Sequence, residues 1–249
     1  PDFFLFENVK GLVKTEKHRR FYNEMKMKVT HSGYVISDKV VNALSYGVPQ
    51  FRERILMVGF WGNDFRRKGV LNVDERNYFS FPWEKYKQFD IEKILSLNWP
   101  VAEEFKENSK RDFVYDVPES LTVEYWFRKN KVTEHPNQNK VFSVKDGLEK
   151  IKRIFEGDTK RKSFKRLHRW KYSPTAAYGN NEVHLHPYKV RRLSVAEAMA
   201  IQSLPEKFIL PNDIPLTAMF KMIGNGVPYL MAECIAKTLK ELVSQVYDV

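Results

Sequence analysis

Phe3-Phe4-Leu5-Phe6-Glu7-Asn8-Val9, near the start of the chain, decides the fold. Four consecutive apolar residues closed by a carboxylate and an amide predict a short strand of the kind buried on both faces of a parallel sheet. From about Val13 to Val29 a helical pattern follows, with Leu12, Phe21, Met25 and Val29 near helical spacing and Lys and Arg on many remaining positions. Tyr34 to Val41 and Arg54 to Phe60 read as two further strands. Gly47 and Pro49 in the intervening Ala43-Leu44-Ser45-Tyr46-Gly47-Val48-Pro49 mark a turn. The first sixty residues therefore predict an α/β unit.

Beyond Trp61 the texture changes. Residues 62 to 190 are rich in charge and aromatics and are interrupted by Pro82, Pro100, Pro118, Pro136, Pro174 and Pro187, which predicts short elements and loops. The densest basic stretch runs from Lys160 to Lys171, where Lys160, Arg161, Lys162, Lys165, Arg166, Arg169 and Lys171 interleave with Phe164, Trp170 and Tyr172. Such a stretch suits a phosphate backbone, and equally a solvated loop. Ser194 with Glu197 three residues later is a capping box, so a helix should begin there and stop before Pro205. A last helix is expected from Pro228 to about Val246, with Leu230, Cys234, Thr238 and Leu242 as its core-facing stripe.

The composition bounds the function. The 249 residues are 43% hydrophobic, enough for a real core, and carry no apolar run long enough to cross a membrane. A soluble, cytosolic protein is expected, and the start at Pro1 suggests a piece of a longer chain. The 42 Lys and Arg against 31 Asp and Glu leave a net charge of +11, which favours a polyanionic partner, nucleic acid first, because neutralising phosphates releases condensed counterions. One cysteine excludes an internal disulfide and a Cys-based zinc cluster. Cys234 is expected to be an inert buried thiol. His184 and His186 could share a strand face but have no third ligand nearby, so no metal site is expected.

Four separated segments, in order, resemble the blocks of the cytosine-5 DNA methyltransferase family. They are Phe6-Glu7-Asn8-Val9-Lys10-Gly11-Leu12, Tyr46-Gly47-Val48-Pro49-Gln50-Phe51-Arg52-Glu53-Arg54, and Arg191-Arg192-Leu193-Ser194-Val195-Ala196-Glu197-Ala198 continuing through Gln202-Ser203-Leu204-Pro205 to Phe208. The fourth is Ile223-Gly224-Asn225-Gly226-Val227-Pro228. Ala196 departs from the family's usual Arg. Ser173-Pro174-Thr175 followed by Gly179 is similar to the Pro-Thr element of the family's recognition region.

The resemblance implies the C-terminal portion of a Rossmann-like S-adenosylmethionine-dependent methyltransferase domain with a small mixed target-recognition domain. Expected bounds are 1–61 for catalytic strands and helix, 62–210 for recognition, and 211–249 for a helix returning to the catalytic domain. The cofactor implied is S-adenosyl-L-methionine, held at Gly224, Asn225, Gly226 and Val227 in a tight turn. The partner implied is double-stranded DNA in a restriction-modification setting. An RNA-modifying relative and a nucleic-acid-binding module without catalysis remain open.

Cytosine carbon 5 is a weak nucleophile, so the family adds a thiolate to carbon 6, and a carboxyl on the ring's nitrogen 3 and amine controls the charge. Glu7 matches that carboxyl. Arg52 and Arg54, two apart on an extended segment, would face one way and hold the flipped base or its phosphate, with Gln50 on the same face reaching backbone or DNA. Lys165, Arg166, Arg169, Thr175 and Arg191 are the further DNA-contact candidates. The family's glycine-rich cofactor loop and Pro-Cys nucleophile block are not in this sequence. An N-terminal half carrying them is the expected partner, seated on an exposed apolar sheet edge.

Overall fold

Glu53–Trp61 is apolar at nearly every position and becomes the middle strand of a three-stranded sheet. In this computed structural model, which describes residues 1–144, 147–178 and 183–248, β1 (Phe3–Val9), β2 (Tyr34–Asn42) and β3 (Glu53–Trp61) lie in the order β1-β3-β2. β3 runs antiparallel to both neighbours, with Glu7 opposite Leu56 and Val35 opposite Phe60. The parallel, doubly buried setting expected for Phe3–Phe6 is therefore corrected. β1 pairs only with β3 in the three-stranded sheet, and its outer positions Phe3, Leu5 and Val9 are 39%, 46% and 52% exposed.

The helical pattern after β1 resolves into α1 (Gly11–Lys14) and α2 (Glu16–His31). Thr15 is extended between them, and its hydroxyl caps α2 by accepting from the His18 N–H. α2 packs Tyr22, Met25 and Val29 with Phe4, Phe6, Ile36, Ile55 and Met57. The Tyr22 hydroxyl donates to Asp38 at 2.9 Å, and burial first, Asp38 second, push its pKa up. After β3, α3 (Gly62–Lys68) sets Phe65 against Phe60 and Phe79.

Compact packing divides the chain into two units whose bounds differ from the expected ones. The first comprises Pro1–Asn42, Glu53–Lys87 and Glu233–Val249; the second comprises Ala43–Arg52 and Gln88–Ala232. In the first, Glu241 on the last helix accepts from Lys85 and Tyr86, and Tyr247 donates to the Asp2 carbonyl at 2.7 Å.

The second unit contains α4 (Ile91–Ser96), α5 (Val123–Lys129), α6 (Leu148–Lys152), α7 (Val195–Ile201) and α8 (Leu216–Asn225). Its main core joins Trp126, Phe127, Leu167, Tyr178, Leu193, Met199 and Phe220. Among the described residues no strand beyond isolated bridges forms there, and the short elements expected of this region are helices joined by loops. α7 starts as predicted: Ser194 Oγ accepts from the Glu197 N–H, and Glu197 accepts from the Ser194 N–H at 2.8 Å.

α8 was not foreseen as a helix. Gly224 and Asn225 are its last two residues and Gly226 is its C-cap, which corrects the tight turn expected at 224–226. α9 (Tyr229–Tyr247) follows, with Cys234, Thr238 and Leu242 buried as expected. Burial raises the Cys234 thiol's pKa, which keeps it protonated and inert. No helix among the described residues is long and apolar enough to cross a membrane.

Candidate active site

In the first unit the sheet brings Glu7 and Arg54 together. Val9 lies opposite Arg54 and Glu7 opposite Leu56, so the two charged side chains are diagonal neighbours on one face. Arg54 Nε donates to Glu7 Oε1 at 2.8 Å, and its Nη1 donates to the Glu53 carbonyl at 2.8 Å. The arginine is buried while the Glu7 carboxylate keeps access to solvent. Burial lowers the Arg54 pKa and Glu7 opposes it. The result is a carboxylate fixed in direction at the end of a strand, with one oxygen side left for a ligand. Lys10 extends the charge pattern by pairing with Glu53 at 2.7 Å.

In the second unit Gln50 and Arg52 are fully buried, and both side chains bond to protein atoms. Arg52 Nη2 donates to the carbonyls of Gly224 (2.8 Å) and Gly226 (3.1 Å), and Nη1 to that of Ala176 (3.3 Å). Gln50 Nε2 donates to Gln202 Oε1 at 3.0 Å, and Gln50 Oε1 accepts from the Ala176 N–H at 2.9 Å. The expectation that Arg52 holds the base or its phosphate is corrected, since it binds main-chain carbonyls; of the two partners expected for Gln50, it meets backbone, with one buried amide beside it, and not DNA. Thr175 also turns inward, its hydroxyl donating to the Phe51 carbonyl at 2.8 Å.

The basic stretch divides by burial. Arg166 is fully buried beneath Phe105 and donates to the carbonyls of Ile151, Ile154, His186 and Lys189. Burial pushes its pKa down to about 10. Arg169 is buried against Glu156 at 2.8 and 2.9 Å, whose pull outweighs the effect of burial and raises the arginine's pKa. Neither guanidinium faces solvent, which corrects their assignment to DNA. Lys165 stays half-buried beside a cleft of about 40 Å³ shared with Lys162, Ser163, Thr175 and His184. Arg191 is clamped by Glu197 at 2.7 and 2.8 Å and remains partly exposed. The Gly179 of the expected Pro-Thr element lies outside the described residues.

The histidines take separate partners. His186 Nε2 lies 3.4 Å from Glu197, and His184 Nδ1 lies 3.5 Å from Ser173 Oγ. Glu103, Glu156 and His168 bring ligand atoms within 4.8 Å of one another, but Arg169 and Arg111 already match the two carboxylates. His168 Nδ1 accepts from the Trp170 N–H at 3.0 Å, which leaves the ring proton on Nε2, facing Glu103. This cluster is a closed ion-pair network.

At the end of α8, Asn225 and Gly226 are exposed and Val227 is half-buried. Gly226 and Val227 line a hollow of about 200 Å³ together with Gln202, Leu204, Phe208, Leu210, Met222 and Ile223. Gly224 serves a different purpose: a Cβ there would meet the Tyr178 nitrogen at 2.8 Å. Its absent side chain lets two backbones touch. Gln202 and Glu156 were missed by sequence reasoning; Gln202 stood in a recognised block, but nothing in its spacing assigned it a partner.

The fold is that of α/β methyltransferases, and two solved structures resemble it over nearly the whole chain. A prophage-encoded protein of E. coli described as a DNA modification methyltransferase matches with a TM-score of 0.61 at 23% identity, covering 98% of this chain and 70% of that one. The S. pombe Dnmt2 methyltransferase matches with a TM-score of 0.53 at 10% identity, covering 99% and 69%. The chain belongs to the C-5 cytosine-specific DNA methylase family, which it matches over residues 1–241. It is 52% identical to the type II methyltransferase M.NmeDI of Neisseria meningitidis serogroup C over all 249 residues, and spans 56% of that protein's length. M.FnuDI of Fusobacterium nucleatum is 29% identical over 253 residues, covering 98% of this chain and 66% of its own length.

Proposed function

We propose that this chain supplies the base-holding carboxylate and the DNA-reading part of an enzyme that methylates carbon 5 of a cytosine flipped out of duplex DNA. The observation that carries the reading is the Glu7–Arg54 pair at 2.8 Å at the end of β1. Glu7 in its acid form would hydrogen-bond the cytosine ring at nitrogen 3 and deliver a proton there as a thiolate adds to carbon 6. Arg54, anchored by the Glu53 carbonyl, would fix the direction of the carboxyl and steady the charge it gains on losing that proton.

S-adenosyl-L-methionine suits the end of α8, where Gly226 and Val227 line an apolar hollow next in sequence to the exposed Asn225, and when bound it supplies a methyl group on a sulfonium. Asn225, Gly226 and Val227 are the residues that would hold it; Gly224 is turned to the protein interior. Lys165, Lys162 and the exposed Lys160 are basic side chains open to phosphates, and Arg191 has one partly open side.

The thiolate must come from another segment, because the sequence holds one cysteine and Cys234 is buried with its pKa raised by burial. A segment carrying a cysteine and further strands would seat along the exposed outer edge of β1. The buried state of Cys234 is also what favours the second reading, a DNA-binding module without catalysis.

Methyl incorporation from labelled S-adenosylmethionine into mixed-sequence duplex separates the two, using the chain alone and then with the cysteine-bearing segment. Transfer only in the mixture, reduced at least about a hundredfold by Glu7→Gln, is the expected result. Salt-sensitive duplex binding with no transfer in either case would favour the module. Undiminished transfer by the Glu7→Gln enzyme would remove Glu7 from its role.

A further inference from the structure

Three stretches of the second unit meet around two buried amides. The first is the strap 174–178, which carries Thr175; the second is the end of α8 with its cap, 223–227; the third is the end of α7 at Gln202. The Ala176 N–H donates to Gln50 Oε1 at 2.9 Å, so the Gln50 amide nitrogen must point the other way, and it donates to Gln202 Oε1 at 3.0 Å. That fixes Gln202 in turn. Its nitrogen faces α8 and donates to the Ile223 carbonyl at 2.5 Å, with the Gly226 carbonyl at 3.4 Å.

The strap is thus joined to the end of α8 by a directed chain of three hydrogen bonds, each amide oriented by the one before it. Both amides are buried, and α9 adds to the arrangement by donating the Tyr229 N–H to the Gln202 carbonyl at 3.0 Å. Arg52 bridges the same two segments, through Ala176 on one side and Gly224 and Gly226 on the other. Gly224 completes the contact, since a side chain there would strike Tyr178.

We propose that Gln202, which lines the donor hollow but has both ends of its amide engaged by protein partners, is a positioning residue for methyl transfer, holding the methyl-donor end of α8 and the DNA-side strap in register through those bonds rather than through a polar contact with either ligand. This rests on the proposed reading that the residues after α8 face the donor and that Lys162 and Lys165, whose cleft Thr175 and Ala177 of the strap help to line, face DNA. Loss of the Gln202 amide then has a particular signature. Both ligand-binding faces lose definition together, so both affinities fall, while the number of phosphates neutralised stays the same.

The test uses the enzyme completed by the cysteine-bearing segment, with Gln202→Met, which keeps the volume and removes both polar ends. Three quantities are measured: the Kd for S-adenosyl-L-homocysteine, the Kd for a mixed-sequence duplex over a series of salt concentrations, and kcat at saturation. The expected result is about a tenfold rise in both Kd values, an unchanged salt slope, and kcat within about threefold of the parent. Unchanged Kd values with fewer active molecules would mean a packing role alone and overturn the proposal. A shift in one Kd only, or the loss of a unit of salt slope, would mean direct ligand contact and overturn it equally.

Should Gln202→Met fail to fold, Gln202→Glu carries the same test. It keeps the acceptor for Gln50 but sets a carboxylate oxygen against the Ile223 carbonyl. The parent enzyme separates the two levels of inference: neither transfer nor salt-dependent duplex binding by the parent would reject the methyltransferase reading itself.

Discussion

Arg166 donates to four carbonyls from inside a basic stretch, and among the described residues no carboxylate is bonded to it. Removing its guanidinium leaves those acceptors buried with nothing to replace them, at a cost of about 1–3 kcal/mol for each group that cannot find water. Arg166→Met should therefore lower unfolding stability in urea by at least about 3 kcal/mol, while the salt slope of duplex binding by the folded fraction stays unchanged. A slope reduced by one would put Arg166 on a phosphate after all. Charge density along the sequence located this region but could not sort it, because a guanidinium is satisfied as well by carbonyls as by phosphates. The same ambiguity hid the inward roles of Arg52 and Gln50. Glu7 and Arg54 were legible because a carboxylate at a strand end keeps its position whichever strands flank it.

Three histidines, His168, His184 and His186, are buried and have pKa values lowered first of all by burial. His184 is pushed from its ordinary 6.5 to about 3, with the Lys165 charge adding to the effect. Since the folded value lies below the unfolded one, the unfolded chain takes up the proton first as pH falls. Stability should decline from about pH 6.5 toward pH 3. His184→Asn should reduce that slope by up to about 1.4 kcal/mol per pH unit, read from urea unfolding between pH 6.5 and 4. An unaltered slope would mean that His184 already shares its proton with solvent.

Among the elements, those with local chemistry at their ends were legible. Ser194 and Glu197 gave the start of α7 because a capping box is a contact between residues three apart. Ser194→Ala should cost about 1 kcal/mol in thermal or urea unfolding, with α7's first turn exchanging its amide protons faster. α8 was not legible. Its last residues, Gly224 and Asn225, have the composition of a turn, and the glycine is there because of Tyr178, 46 positions earlier in the chain. Gly224→Ala should accordingly destabilise by about 1–3 kcal/mol, far beyond what a helical alanine would normally do. β1 was legible as a strand but not in its setting, since an apolar run reports burial of both faces and says nothing about the direction of the neighbour.

At the scale of the whole molecule, the sequence boundaries between regions were the least legible feature. The segment Ala43–Arg52 lies between two strands of one unit yet belongs to the other, and α9 contributes to both. No local signal marks such an exchange, because it is set by contacts between residues far apart in sequence. The exposed outer positions of β1 should make the isolated chain associate with itself at micromolar concentration. Leu5→Lys should restore a monomer in sedimentation velocity, and a monomeric parent chain would show that the edge is already blunted.

Two buried arginines of the second unit, Arg52 and Arg166, grip main-chain oxygens, and every amino acid carries the same one. The identities of the gripped residues are thus free to drift while the grip remains. A library that randomises solvent-facing positions around Ile151, Ile154 and Lys189, with both arginines held fixed, should yield folded members at high frequency. That is a route to changing an exposed surface without rebuilding its support.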